Sequence, residues 1–212
     1  KIIEDAAQSI GSMYKEKISG SIGDIGCFST HPLKNLNACG DGGFLTTNDE
    51  EIYNKTKSYR NHGMVDRNIV DHFGSVTRMD NLQASILNYR LSKLDEVTQK
   101  RRNNAKSYVD NINKQDIFIP EEKASEYNVY HTFVIQTEPR DALQTFLQSE
   151  NIETAIHYPI PIHLQPAAAR LGYKKGDFAV AERQAQQILT LPINQYLKEG
   201  SISRIVSLIN QF

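Results

Sequence analysis

The sequence has no tryptophan, only two cysteines and no long apolar run, and each scarcity argues against a class of protein. No stretch approaches the roughly 20 apolar residues of a membrane-spanning helix, and no secretory n-region and h-region open the chain, so we expect neither a membrane nor a secreted protein. Cys27 and Cys39 lack a metal-ligand spacing, and two cysteines in a chain of this size are typical of a reducing cytoplasm. We therefore expect a cytoplasmic protein with no metal site and no disulfide.

The charge balance argues against nucleic acid as a partner. The chain of 212 residues carries 24 basic and 25 acidic residues, for a formal net charge of −1. A protein that holds nucleic acid by bulk charge needs a clear basic excess. The hydrophobic fraction of 39% is enough for a core in one or two domains.

One stretch, Gly26–Leu36, places a lysine on a turn that follows a short apolar strand. A short apolar strand, Ile25–Phe28, leads through a hydroxyl residue to Lys34, and Pro32 fixes the backbone just before it. The glycines beyond Lys34 allow other groups to approach the backbone closely. Taken alone, Lys34 is more simply interpreted as a solvated surface lysine.

A second strand changes that interpretation. The apolar strand that begins the chain ends in Asp5, 29 residues before Lys34. Pyridoxal phosphate (PLP) chemistry needs this pair, because a lysine amine forms the Schiff base and a carboxylate pairs with the protonated ring nitrogen. The two residues together predict a PLP site.

Seven short motifs then occur in an order that closely resembles the DegT/StrS-type sugar aminotransferases, which aminate keto-sugars carried on nucleotides. Each motif alone is weak, but the ordered set is specific and covers nearly the whole chain. The motifs lie at Ile3–Gln8, Gly23–Ser29, Lys34–Leu36, Gly40–Gly43, Arg60–Gly63, Arg78–Asp80 and His157–Pro159.

The resemblance implies an α/β chain of PLP-dependent transferase fold type I. Relatives of this kind are much longer, so we expect the chain to be the C-terminal portion of such an enzyme. Residues 1–98 would form the second half of the large, PLP-binding domain with its parallel or mixed sheet. Residues 99–212 would form the end of a linking helix and the small C-terminal α/β domain.

The resemblance also implies roles for four residues near the cofactor. Lys34 would be the Schiff-base amine and the base that moves protons, and Asp5 would hold the ring nitrogen protonated. Gln8 would touch the cofactor ring, and Ser29 would bind the phosphate through its hydroxyl. Without the family, Asp5 would be a turn-capping aspartate and Ser29 an ordinary strand-end serine.

Three further residues align with family positions near the substrate diphosphate. Arg78 would bind phosphate through its two-pronged donor set, and His157 and Tyr158 would contact the same group. Loose surface polar residues are the alternative for each of them. The position two before this arginine is usually an asparagine that reaches the neighbouring subunit's cofactor phosphate. Here it is Val76, which has no donor.

The implied function is transfer of an amino group, with glutamate as the expected donor, to a nucleotide-linked keto-sugar in a homodimer with shared active sites. One alternative is a non-catalytic remnant that has lost the cofactor site. Another is a related sugar dehydratase or a cyclitol aminotransferase. The dehydratase branch has histidine in place of the lysine, so Lys34 favours amino transfer.

The hydrophobic pattern predicts alternating strands and helices. Strands are predicted to end at Asp5 and to cover Ile25–Ser29, Gly42–Thr47, Ile117–Pro120, Tyr127–Gln136 and Ile152–His157, with a hairpin at Ser12–Ile18 and a loop at 61–78. Helices are predicted at Glu50–Tyr59 after an Asn48 or Asp49 cap, from Asp80 to Ile112 without interruption, and at Arg140–Glu150, Gln165–Leu171, Phe178–Leu189 and Gly200–Phe212.

Overall fold

The computed structural model describes all 212 residues, which fall into two compact units. The first unit combines Lys1–Gln99 with Glu122–His131, and the second combines Lys100–Glu121 with Thr132–Phe212. The sequence places Glu122–His131 with the C-terminal domain, whereas the structure groups this segment with the first unit. No helix has both the length and the apolar character needed to cross a membrane.

The first unit holds the N-terminal strands and two helices. Its elements are β1 (Ile3–Asp5), β2 (Met13–Tyr14), β3 (Lys17–Ile18), β4 (Ile25–Ser29), β5 (Gly43–Thr46), α1 (Glu50–Tyr59), β6 (Met64–Asp66), β7 (Ile69–Val70), α2 (Asn81–Leu91), the start of α3 (Leu94–Asn111) and β8 (Glu126–Tyr127). The second unit contains the end of α3 with β9 (Phe133–Gln136), α4 (Arg140–Ser149), α5 (Ala179–Gln187), β10 (Ile188–Leu191) and α6 (Ser201–Gln211), and two short 3-10 helices at Ile162–Leu164 and Pro166–Leu171.

The central sheet of the first unit has the order β1-β4-β5. Strands β1 and β4 run parallel, with Asp5 opposite Cys27, so their carboxyl ends lie at the same edge of the sheet. Strand β5 is antiparallel to β4, with Gly43 opposite Ser29. Of the parallel or mixed sheet that was expected, the structure therefore has the mixed form, because the chain returns to β4 through a loop rather than through a crossover helix.

Strand β4 alternates buried and half-buried residues. Phe28 faces the interior and its ring stacks on Phe44 of β5, with 4.8 Å between the ring centroids. Gly26 is required where it stands, because a Cβ there would lie 2.4 Å from the Cα of Gly20. This close approach packs the loop before β4 directly against the strand.

Helix α1 begins and ends where the sequence predicts. Asp49 is its N-cap, and its carboxylate accepts hydrogen bonds from the backbone N–H groups of Glu51 and Ile52. Two acidic residues in the first turn match the helix dipole.

The single helix predicted from Asp80 to Ile112 is wrong, because it is divided into α2 and α3. Asp80 occupies the N-cap position of α2 without a side-chain capping bond. The helix ends at Leu91, and the hydroxyl of Ser92 donates to the carbonyl of Tyr89 at 2.8 Å. This local bond offers the backbone an alternative to continued helix.

Several other boundaries in the sequence prediction also need correction. The predicted strand Tyr127–Gln136 is interrupted, because the side chain of Asn128 accepts from the N–H of Tyr130, whose φ is +45°. The predicted helix Phe178–Leu189 ends at Gln187, since Ile188–Leu191 pairs with β9 instead. The segment 61–78 contains the hairpin β6-β7, and the predicted strands at Ile117–Pro120 and Ile152–His157 are reduced to single bridges at Phe118 and Ala155.

The core of the second unit packs helices around the β9-β10 pair. Leu143 and Leu147 of α4 and Ile205 and Ile209 of α6 are almost fully buried. Because the apolar residues of α6 recur at helical spacing, one face of this helix is buried and the other is solvated.

The side chain of Glu4, on β1, organises the loop that precedes β4. Its carboxylate accepts backbone N–H bonds from Gly20, Ile22 and Gly23, each at 2.7 Å. Burial raises the pKa of this carboxyl, but the three hydrogen bonds outweigh burial, so its pKa lies below the ordinary value. Glu4 therefore stabilises the fold in its ionised form.

We expect Glu4→Gln to destabilise the chain by about 1–2 kcal/mol, because a neutral amide accepts these bonds more weakly. The lowered pKa means that the stabilisation is complete above the ordinary carboxyl value of 4.5 and is lost as the pH falls below it. Denaturant unfolding from pH 7 down to pH 3 measures both effects. Glu16→Gln, at the exposed turn between β2 and β3, is the matched control. A difference between Glu4→Gln and the parent chain that persists unchanged at pH 3 would contradict this role.

Candidate active site

The carboxyl ends of β1 and β4 bring three of the sequence-predicted residues to one edge of the sheet. Asp5 ends β1 with its side chain exposed, and one carboxylate oxygen accepts the N–H of Ala7 at 3.2 Å. Ser29 ends β4, half-buried, and its hydroxyl accepts the N–H of His31 at 3.3 Å. Gln8 is exposed on the turn after Asp5. The edge therefore presents a carboxylate, a hydroxyl and an amide.

Lys34 lies on a closed loop that follows Ser29. The N–H of Ala38 donates to the carbonyl of Thr30 at 2.7 Å, and the N–H of Lys34 donates to the carbonyl of His31 at 2.9 Å. The Lys34 side chain is half-buried, and its Nζ makes no hydrogen bond or ion pair within the chain. The loop backbone, and not a side-chain partner, therefore places this amine.

Asn35, directly after Lys34, anchors the loop to a distant segment. It is 7% exposed, and its Nδ2 donates to the carbonyl of Val129 at 2.9 Å. The Oδ1 of Asn35 and the Oγ1 of Thr30 are both buried without a hydrogen-bond partner. The sequence analysis gave Asn35 no role of its own, since a bond across 94 residues leaves no local signal.

Arg78 follows a segment that pairs with the end of α1. The N–H of Thr77 donates to the carbonyl of Arg60 at 3.0 Å, and Val76 bridges to Asn61. Arg78 itself is exposed. The side chain of Val76 is 55% exposed, so an apolar side chain stands where a hydrogen-bond donor was expected.

His157 and Tyr158 belong to the second unit. The Nδ1 of His157 lies 2.9 Å from the hydroxyl of Thr190, a residue of β10 that the sequence analysis did not single out. Tyr158 is 66% exposed and meets the His157 ring edge-on, with 5.3 Å between the centroids. Both residues border an apolar groove of about 820 Å³ whose walls include Ile160, Phe178 and Ile188.

His163, on the same segment, is held by a buried carboxylate. Its Nε2 lies 3.0 Å from Glu182 Oε1, and the two side chains are 7% and 12% exposed. The same oxygen accepts the N–H groups of Gly176 at 2.8 Å and Phe178 at 3.4 Å. The hydrogen bond from Gly176, with those from His163 and Phe178, holds the pKa of Glu182 below its usual value against the opposing effect of burial. Glu182 therefore links α5 to the segment that carries His157 and Tyr158.

Comparison with known proteins places the chain in a family. The model of the DegT/DnrJ/EryC1/StrS aminotransferase family matches residues 1–210. The chain belongs to this family. The resemblance to DegT/StrS-type sugar aminotransferases is thus confirmed.

Individual relatives match over all of the chain but over only part of their own length. A pleiotropic regulatory protein of Geobacillus stearothermophilus is 39% identical over 100% of this chain and 58% of its own. A UDP-N-acetyl-3-dehydro-alpha-D-glucosamine 3-aminotransferase of Acidithiobacillus ferrooxidans is 40% identical over 100% of this chain and 57% of its own. The chain therefore spans less than three fifths of the length of these relatives.

Solved structures show the same partial match. The crystal structure of S. venezuelae DesV superimposes with a TM-score of 0.95 at 34% identity, over 99% of this chain and 57% of that one. The PLP form of Spr1654 from Streptococcus pneumoniae has the same fold over 99% of this chain, with a TM-score of 0.91 at 23% identity.

We expect Glu182→Gln to release the segment around Gly176, because the amide oxygen is a weaker acceptor than the carboxylate. Hydrogen exchange at the amides of Gly176 and Phe178 should become about five-fold faster or more. In the parent chain, the lowered pKa of Glu182 keeps this protection above pH 4.5, and protection is lost as the pH falls below that value. Glu153→Gln, an exposed change in the same unit, should leave both amides as they are. Equal exchange in the two variants would show that Glu182 does not hold this segment.

Proposed function

We propose that the protein is a PLP-dependent aminotransferase that transfers an amino group, with glutamate as the donor, to a nucleotide-linked keto-sugar. The observation that carries this proposal is the half-buried Lys34 amine, which has no partner on its closed loop. It follows the strand that ends in Ser29, beside the strand that ends in Asp5.

The donor set at this edge fits the functional groups of PLP. The aldehyde needs an amine, which Lys34 offers without a competing ion pair. The ring nitrogen needs a carboxylate, and the phosphate needs hydroxyl and N–H donors. When bound, PLP supplies an electron sink for bond cleavage at the carbon next to the nitrogen.

Lys34 would form the covalent link and, once released, would move protons between the cofactor carbon and the sugar carbon. A positioned amine of this kind contributes about 10²–10⁴-fold as a general base. Its half-burial reduces competing contacts with water.

Asp5 and Ser29 retain bonding capacity for the cofactor. A carboxylate offers about four acceptor sites, of which the N–H of Ala7 occupies one. The Ser29 hydroxyl accepts the N–H of His31, so its own O–H remains available as a donor to phosphate. Gln8 would contact the ring from the adjoining turn.

Substrate recognition would use three further residues. Arg78 is exposed and suits a diphosphate through its planar donor pair. His157 and Tyr158 would contact the same diphosphate, with the hydroxyl of Thr190 fixing the His157 ring.

The whole enzyme would be of fold type I, and these residues would form the second half of its large domain and its small domain. The proposed assembly is a cytoplasmic homodimer with shared active sites. The exposed side chains of Ile2 and Ile3, at 64% and 69%, support a further layer of chain over β1. At Val76, another group would have to supply the donor that the side chain lacks.

Lys34→Ala tests the proposal directly. In the full-length protein with added PLP, we expect the borohydride-reducible link to disappear and turnover to fall by at least about 10³-fold. Absorbance spectra before and after borohydride, together with peptide mapping of the reduced protein, measure the link. Lys55→Ala, on the exposed face of α1, should behave like the parent protein.

Turnover retained in Lys34→Ala would remove this lysine from the mechanism. A parent protein that forms no reducible link would instead favour the non-catalytic remnant.

The Asp5→Asn variant distinguishes an effect on cofactor binding from an effect on the rates of the two half-reactions. We expect the cofactor to remain bound and each half-reaction to slow by about 10–150-fold, because an amide cannot stabilise a pyridinium charge with the 1.5–3 kcal/mol of a charge-assisted bond. Rapid-mixing kinetics of the separate half-reactions measure this loss. Asp116→Asn, exposed in the second unit, serves as the control. Unchanged rates in Asp5→Asn would leave Asp5 as a turn residue only.

A further inference from the structure

One face of helix α2 holds the loop that carries Lys34. Gln83, Leu87 and Arg90 are spaced by four and three residues, so they share a face. Gln83 exchanges two hydrogen bonds with the backbone of Cys39: it accepts the N–H at 2.8 Å and donates to the carbonyl at 3.2 Å. Gln83 thus holds the backbone at the C-terminal end of the loop.

The middle of this face makes apolar contacts. Leu87 is buried in one cluster with Leu36 and Ala38 of the loop and with Leu94 of α3. These contacts hold the loop against the helix, but apolar packing is non-directional and does not by itself fix the loop's orientation.

Arg90 makes directional hydrogen bonds to the loop. It is half-buried, and its Nη1 donates to the carbonyl of Asn37 at 2.7 Å, to the Asn37 Oδ1 at 2.6 Å and, at 3.4 Å, to the carbonyl of Ala38. A guanidinium is a rigid set of donors, so it constrains the acceptors that converge on it.

The contact continues through Asn37 to the residues before Lys34. The Nδ2 of Asn37 donates to the carbonyl of Pro32 at 2.6 Å. Chemistry fixes the orientation of this amide, because arginine can only donate and the Pro32 carbonyl can only accept. A chain of hydrogen bonds therefore runs from Arg90 to a point two residues before Lys34.

We propose that Arg90 is a positioning residue for the Lys34 amine, an inference that rests on the proposed function of Lys34. Because Nζ has no partner of its own, its location depends on the backbone between Pro32 and Asn37. Arg90 constrains that backbone on the side of α2, while Asn35 constrains it through Val129.

Loss of the guanidinium would leave the Asn37 amide half-buried with an unpaired acceptor. The turn before Lys34 would then sample other conformations. Displacement of a reacting group by about 1 Å reduces its reactivity by about 10²-fold. The effect should therefore appear at Lys34 and not at other lysines.

The experiment compares Arg90→Met and Arg90→Lys in the full-length protein, with Arg67→Met, at the exposed turn between β6 and β7, as the control. Each protein is treated with pyridoxal 5′-phosphate and then borohydride, and mass spectrometry gives the labelling rates of Lys34 and Lys55. We expect Arg90→Met to label Lys34 about 10-fold more slowly or worse, with Lys55 unchanged. Arg90→Lys should lie between Arg90→Met and the parent, since an ammonium reaches fewer of the acceptors.

An unchanged Lys34 rate in Arg90→Met would overturn the proposal. Should that variant not fold, Arg90→Lys decides: a slower Lys34 rate supports the proposal and a parental rate overturns it. Absence of Lys34 labelling in the parent would defeat the proposed function instead. Hydrogen exchange at the amides of Lys34 and Ala38 would then decide on Arg90, with faster exchange in Arg90→Met supporting its role in the loop and equal exchange refuting it.

Discussion

The parallel pairing of β1 with β4 is the constraint on which the candidate site depends. Because both strands run in the same direction, Asp5 and the residues after Ser29 leave the sheet at one edge. The antiparallel register would send them to opposite edges. Glu4, one residue before Asp5, holds the loop that leads into β4, so the same short strand both positions its neighbour and supplies a carboxylate.

The sequence predicts the elements of this site well, because its signals are local. The Asp49 cap fixes the start of α1, and the pattern of Ile25–Ser29 fixes β4. Predictions fail where a local side-chain bond or a tertiary contact overrides a periodic pattern. The apolar stripe from α2 into α3 continues across Ser92, yet the helix stops there. Ile188–Leu191 fits a helix until its pairing with β9 is known.

Sequence order does not reveal how the loop of Lys34 is held. Asn35 reaches across 94 residues to Val129, and Arg90 reaches across 53 residues to Asn37. Contacts between residues so far apart leave no local pattern in the sequence. An arginine on a helix is usually interpreted as solvated. The motifs thus predict an amine and a carboxylate for the proposed site, while the residues that hold the loop of Lys34 emerge only from the fold.

The loop of Lys34 illustrates why a reactive amine benefits from indirect support. A carboxylate partner would hold Nζ firmly, but it would also compete with the proposed cofactor for the amine. Hydrogen bonds to the backbone and to Asn37 constrain the loop around Lys34 without adding negative charge beside the amine. The loop thus constrains the backbone that carries Lys34 and leaves its Nζ without a competing partner.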